Sequence, residues 1–340
     1  MSTSLRRDLL QVAAFALAVA LLAAVADSGV VLNFTMAALF ACLMAQSWNV
    51  LGGYGGQLSF GHALFFGTGA YVQAIAQLQY GINPWLALPV AMGAAALSGL
   101  LVGALSFRYG LRGSYFALVT LAFAEVFRIV SLSVPFTGAG VGLMVPLRTG
   151  VANLQFADRR GFVWLALALV TLGLLATIWL RHSRFGAWLQ AVRDNEDAAR
   201  AIGVDPFRAK LGAIALSGAL MGAAGAMYLQ VYQYIDPTIA YGPHTSIEAL
   251  VAAIVGGLGT LWGPVLGALV LHLLSEFTRN LFGALPGISL VIYGVVLIGI
   301  VMFAPRGILG MGRSLRGLWS RPAAAPAPAT PSEVQERAHG

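Results

Sequence analysis

Runs of about twenty apolar residues recur along this chain. That length is what a helix needs to cross the hydrocarbon of a bilayer. Ten such segments can be read, at roughly 9–27, 30–51, 58–80, 85–107, 113–134, 162–180, 211–232, 246–262, 263–283 and 286–304. The segment 58–80 starts with polar residues, and no charged loop divides 246–262 from 263–283, so nine spans or a re-entrant segment fit the pattern as well. Composition agrees: of 340 residues 59% are hydrophobic and only 10% are charged, against about 25% charged in an ordinary soluble domain. The 41 glycines suit close helix–helix approach in lipid. The expected fold class is all-α, a polytopic transmembrane helical bundle.

Charge fixes an expected orientation. With the N-terminus inside and strict alternation, the inner segments carry Arg6, Arg7, Arg108, Arg112, Arg181, Arg184, Arg193, Arg200, Arg208, Lys210, Arg306, Arg313, Arg316, Arg321 and Arg337. The outer segments carry Arg148, Arg159, Arg160 and Arg279, and Arg128 lies within a span. This asymmetry is what the positive-inside rule requires. It also accounts for the net charge of +7 without nucleic acid as a partner. Both termini are then cytoplasmic. Leu9 to Ala26, behind Arg6 and Arg7, imitates a secretory signal, but is read as an uncleaved first span. A transmembrane domain is expected over 1–320, with an outer loop at 135–161 and an inner loop at 181–210. The proline-rich end, 321–340, reads as a disordered tail.

Several chemistries lack their residues. The single lysine, Lys210, follows Ala209, so no Gly-Lys-Ser/Thr phosphate loop exists and any ATP hydrolysis belongs to another chain. The single cysteine, Cys42, permits neither an internal disulfide nor a cysteine metal site, and the five histidines lack His-Glu-x-x-His spacing. No cofactor, metal or catalytic residue is assigned to this chain.

The segment 184–203 breaks the membrane pattern. Leu189, Val192, Ala199 and Ile202 form a loose apolar stripe at helical spacing, with Arg193, Asp194, Glu196, Asp197 and Arg200 around it. Asp194 or Asn195 can cap a second short helix, and Gly203 can stop it. Helices this short need a partner surface. One reading is a connector lying on the membrane; the other is a docking element that takes force from a cytoplasmic subunit.

Within the spans, Gly52, Gly53, Gly55 and Gly56 precede Gln57, Ser59, Gly61 and His62. Four glycines in five residues do not hold a helix interior, and unwound backbone at membrane depth must line a cavity or be covered by protein. A broken element near a pathway and a packed turn at the membrane surface both fit. Gly256-Gly257-x-Gly259 and Gly263 repeat the theme further on, by ancient duplication or by chance. Glu125 and Arg128, three apart on one helix, share a face and read as a buried ion pair packed against another span. Phe65, Phe66, Tyr71 and Phe116 offer an apolar lining.

Together these stretches resemble the branched-chain amino acid permeases of ATP-binding-cassette importers. The resemblance rests on Gly52-Gly-Tyr-Gly-Gly-Gln-Leu-Ser-Phe-Gly-His62 with Gly67-Thr-Gly-Ala-Tyr71, and on Leu111-Arg-Gly-Ser-Tyr-Phe-Ala-Leu-Val-Thr-Leu-Ala-Phe123. It continues through Ala191-Val-Arg-Asp-Asn-Glu-Asp-Ala-Ala-Arg200 between Gly186 and Gly203, Gly256-Gly-Leu-Gly-Thr-Leu-Trp-Gly-Pro264 and Pro305-Arg-Gly-Ile-Leu309. The Leu-Arg-Gly-x-Tyr-Phe segment and the Arg-Asp-Asn-Glu loop resemble the LivM-type branch. The resemblance implies a type II-like importer permease in a bacterial inner membrane, paired with a second permease. It also implies two cytoplasmic ATPase subunits that bind ATP-Mg, and a periplasmic binding protein that delivers leucine, isoleucine or valine. Gly186 to Gly203 would be the ATPase-coupling loop. Urea, amides or other amino acids are alternative cargoes, and an ion-driven secondary transporter or an intramembrane enzyme are alternatives from other classes.

Overall fold

Helix starts along this chain are set by short polar caps followed by proline. Asn83 accepts a hydrogen bond from the Trp85 amide ahead of Pro84, Asp205 does the same for Phe207 and Arg208 ahead of Pro206, and Asp236 for Thr238 and Ile239 ahead of Pro237. Each cap satisfies amides that have no intrahelical partner, and proline at the first helical position has no N–H to lose. In the computed structural model the residues described are 3–282, 291, 294–295, 298–299, 302 and 307–310. The expected span 286–304 lies largely, and the tail 321–340 wholly, outside them.

The helices are α1 (Thr3–Val25), α2 (Gly29–Trp48), α3 (His62–Leu78), α4 (Pro84–Arg108), α5 (Gly113–Ser133), α6 (Arg159–His182), α7 (Arg184–Asp194), α8 (Glu196–Ala201), α9 (Pro206–Tyr232), α10 (Pro237–Tyr241), α11 (Pro243–Gly256) and α12 (Gly263–Phe282). The fold is an all-α polytopic bundle. Six of these helices are long and apolar enough to cross a membrane: α1, α2 with its continuation to Tyr54, α4, α5, α6 and α9. Two expected spans have different bounds. The segment 58–80 becomes helical only at His62, and 246–262 is a helix only over Pro243–Gly256. At 1.5 Å per residue α11 is about 21 Å long, short of a hydrocarbon core of about 30 Å.

Helices α3, α4 and α9 pack on one another as the inner core, while α2 sits between α6, α9, α11 and α12, and α1 lies on α6. Close approach of α3 and α9 needs glycine on both sides: a Cβ on Gly69 would stand 2.2 Å from the Gly222 carbonyl oxygen. With no hydrophobic drive between helices in lipid, such small-residue contacts carry van der Waals packing.

The two long loops lie at opposite ends of the bundle. At one end Asp8 of α1 takes bonds from Arg181 (2.8 Å) and His182 (3.0 Å) at the end of α6, next to α7 and α8. At the other, the loop after α5 forms a two-residue antiparallel pairing, β1 (Leu143–Met144) with β2 (Tyr234–Ile235), which ties it to the end of α9. Asn83 and Trp85 hold the same loop by donating to the Ala152 and Val151 carbonyls.

Gly69→Leu should overpack the α3–α9 contact, destabilising by about 1–3 kcal/mol or more and lowering the thermal midpoint in detergent. Gly93→Leu, on α4 with open space around it, should leave the midpoint unchanged.

Candidate functional site

Beyond Trp48 the α2 helix does not stop but widens into a π-helical turn, Asn49–Tyr54. The wide turn lets the Gly55 amide reach the Val50 carbonyl (3.2 Å) and the Gln57 amide reach Leu51 (3.1 Å). The chain then runs without helix to Gly61 before α3 begins. Its buried backbone stays satisfied: Trp48 Nε1 donates to the Ser59 carbonyl at 2.8 Å, and the Phe60 amide donates to Thr120 Oγ1 of α5 at 3.2 Å. The glycine-rich segment is thus a helix break covered by protein, with an exposed tip at Gly56.

The second glycine-rich stretch, between α11 and α12, meets this break. Asn49, 1% exposed, bridges them: its Oδ1 accepts from the Gly259 amide at 2.8 Å and its Nδ2 donates to the Thr260 carbonyl at 3.1 Å. A Cβ on Gly53 would lie 2.6 Å from the Gly259 nitrogen, so only glycine permits the approach. The two motifs alike in sequence are packed against each other.

The α7–α8 loop closes on this junction. Ser183 caps α7 through the Gly186 amide (3.1 Å), and Asn195 caps α8 through the Asp197 and Ala198 amides, both at 3.0 Å. Leu189, Val192 and Ala199 are buried as the stripe predicts, but Ile202 is 76% exposed. It falls in the turn after α8, beyond the last residue that faces the bundle, so the stripe is one residue shorter than expected. Gly203, at φ +87°, ends the loop. From α7, Arg193 Nη1 donates to the Gly53 carbonyl at 2.6 Å, and its aliphatic stem lies over Gly56.

Glu196 is a second anchor. It bonds Lys210 of α9 at 2.6 Å, lies 3.2 Å from Arg112 just before α5, and reaches Arg200 at 3.5 Å. The Lys210 side chain is 4% exposed and stands over the Phe107 ring at 5.5 Å. Asp194, Asp197, Arg200 and Trp188 face outward from the loop.

Other expected site residues take different places. His62, fully buried, bonds Ser217 Oγ at 2.9 Å and Ser59 Oγ at 3.2 Å. Ser217 Oγ already donates to the Ser47 carbonyl at 2.7 Å, so it accepts from His62 Nε2–H. His62 therefore bridges the break and α9. Tyr71 stacks on Tyr241 and Phe116 on Phe107, and both, with Phe65 and Phe66, are sealed in the core. The expectation that they line an open path is corrected: their rings fill space between helices. Glu125 and Arg128 do form a bidentate pair, at 2.9 and 2.6 Å. It is not buried against another span of this chain, however, since the Glu125 side chain is 45% exposed and Arg128 27%. Gln57 bonds only within its turn, to the Gly55 carbonyl.

Asn49, Lys210, Arg112 and Ser217 are the site residues that sequence reasoning missed. Lys210 and Arg112 sit at the edges of apolar runs and Asn49 and Ser217 within them, and each partner lies between 14 and 211 positions away.

Asn49→Ala should strand the Gly259 amide, and about tenfold or faster amide exchange at 257–261 is expected. Glu196→Ala should cost about 3–5 kcal/mol, because it leaves Lys210 buried and unpaired. Adding Lys210→Met should recover most of that in thermal midpoint.

The family model described as branched-chain amino acid transport system / permease component matches residues 30–301. The high-affinity branched-chain amino acid transport system permease protein LivM of Escherichia coli K12 is 29% identical over 296 residues, covering 80% of this chain and 68% of that protein. The probable branched-chain amino acid transport permease protein LivH of Methanocaldococcus jannaschii is 28% identical, over 72% of this chain and 80% of its own length. LivH of E. coli K12 is 25% identical, over 83% and 94%. No solved structure matches. A family match that takes in both glycine motifs, the loop between them and eight whole apolar runs of the ten places this chain in the branched-chain amino acid transport system permease-component family.

Proposed function

We propose that this chain is one permease subunit of an ATP-binding-cassette importer that moves leucine, isoleucine and valine across a bacterial inner membrane. A second permease completes the pathway, a periplasmic binding protein delivers the substrate, and two cytoplasmic ATPases bind ATP-Mg. Both termini and the 181–210 loop are cytoplasmic in this reading. The 1–320 region is the transporting domain, and 135–161 faces the binding protein.

The observation that carries the reading is the bond from Arg193 to the Gly53 carbonyl. It joins a surface loop directly to a helix break that the bilayer tolerates only under protein cover. Trp188, Asp194, Asp197, Arg200 and Ile202 provide the outward surface on which an ATPase docks. When ATP draws the two ATPases together, α7 and α8 move. Arg193 then pulls on the Gly53–Gly259 junction, while Glu196 pulls on α9 through Lys210 and on α5 through Arg112. Two arrangements of these helices are what alternating access requires.

Labelled leucine uptake should require ATP in vesicles holding this chain with its neighbouring permease, ATPases and binding protein. Arg193→Ala should cut uptake about tenfold or more, while the complex still assembles and hydrolyses ATP. Parent-level uptake in that variant would remove Arg193 from the coupling path. Uptake of urea and not leucine would correct the cargo. Uptake without any ATPase would replace the importer with an ion-driven transporter.

A further inference from the structure

Among the described residues, α5 is covered along one face, by α3, α4, α10 and the short turn Ala139–Val141. Phe116, Ala117, Thr120 and Ala124 make that face. On a neighbouring flank, at spacings of seven, four, three and four, lie Ser114, Leu121, Glu125, Arg128 and Leu132, none of them buried. Glu125 stands about 18 Å from the start of α5 and about 12 Å from its end, at 1.5 Å per residue, which puts it well inside the hydrocarbon.

A half-exposed ion pair at that depth cannot face lipid. Intramembrane charges turn to a bundle interior or to a water-filled cavity, and among the described residues the chain supplies neither over this flank. Pairing does not remove the difficulty. Two N–H groups of Arg128 bond Glu125, but a guanidinium has five and a carboxylate has further lone pairs. These have no other side-chain partner among the described residues. The flank must therefore meet something polar from outside the described residues. If the importer reading holds, that is the pathway shared with the second permease.

What passes along such a pathway carries the complementary charges. An α-amino acid has an ammonium and a carboxylate on one carbon, as Glu125 and Arg128 offer a carboxylate and a guanidinium one helical turn apart. We propose that Glu125 and Arg128 form a transient docking site for the zwitterionic head group of the amino acid in transit. The substrate carboxylate takes the outer N–H groups of Arg128, and its ammonium takes the free lone pairs of Glu125. The aliphatic side chain rests on Leu121, one turn before Glu125. Between passages the pair stays bonded to itself and water in the pathway takes its remaining groups, so the site holds the substrate weakly. It reads the head group common to all amino acids and leaves side-chain selection to other parts of the machine.

The test uses a complex with established ATP-driven uptake, so that the importer reading and this one fail separately. In a Cys42→Ser background, Leu121→Cys should react with a cationic water-soluble thiol reagent, and millimolar leucine should slow the reaction. Neither 4-methylvalerate, which lacks the ammonium, nor isoamylamine, which lacks the carboxylate, should protect. The double variant Glu125→Gln/Arg128→Gln should lose about tenfold or more of uptake, with the complex assembled and ATP hydrolysis retained. A pair that serves packing alone tolerates joint neutralisation, so parent-level uptake in the double variant overturns the proposal. So does a Leu121→Cys that is never labelled, or one protected equally by all three compounds. If the double variant does not assemble, the labelling experiment alone decides between the same outcomes.

Discussion

A backbone amide or carbonyl in a bilayer has no water to bond, and each one left unmet costs several kcal/mol. The rest of this architecture follows from how that constraint is met at one place, the break between α2 and α3. The π-helical turn at Asn49–Tyr54 absorbs the first amides of the break. Thr120 accepts from the Phe60 amide, while Trp48 and Arg193 donate to the Ser59 and Gly53 carbonyls. These partners come from α2 itself, from α5 and from the α7–α8 loop, and Asn49 carries the bridge to the α11–α12 connection. The break therefore forms only when four distant parts of the chain are assembled around it.

That dependence gives the break its mechanical character. A continuous helix transmits displacement along its axis, whereas a break held by side chains from other elements moves with them. Arg193 and Glu196 sit only three positions apart, yet one grips the backbone of the break and the other grips Lys210 and Arg112. A shift of one loop thus acts on α2, α9 and the start of α5 together. His62 extends the linkage inward, because its bond to Ser217 ties the first turn of α3 to α9 below the loop.

The apolar rings that would suit a pathway are spent on packing. Phe65, Phe66, Tyr71 and Phe116 are all within the sealed core, and the polar chemistry that remains open lies on the flank of α5.

Apolar run length, charge asymmetry and cap chemistry are local properties, so the sequence by itself determined that the chain is a helical membrane bundle. The same kind of local signal located the α7–α8 insert, with Asp194 or Asn195 as its cap and Gly203 as its stop, and marked the glycine clusters near residues 52 and 256 without deciding which of them breaks a helix. It also placed Glu125 beside Arg128, since helical spacing decides that. It did not determine that the two glycine stretches touch, that Asn49 and Arg193 hold them, or that Lys210 ends up under Glu196. Nor did it determine that the Glu125–Arg128 pair faces out of the subunit while the aromatic rings face in. Those outcomes belong to the tertiary structure alone. In a chain apolar on every side, sequence does not say which face of a helix is covered, and a polar residue's partner is chosen by which helix packs beside it.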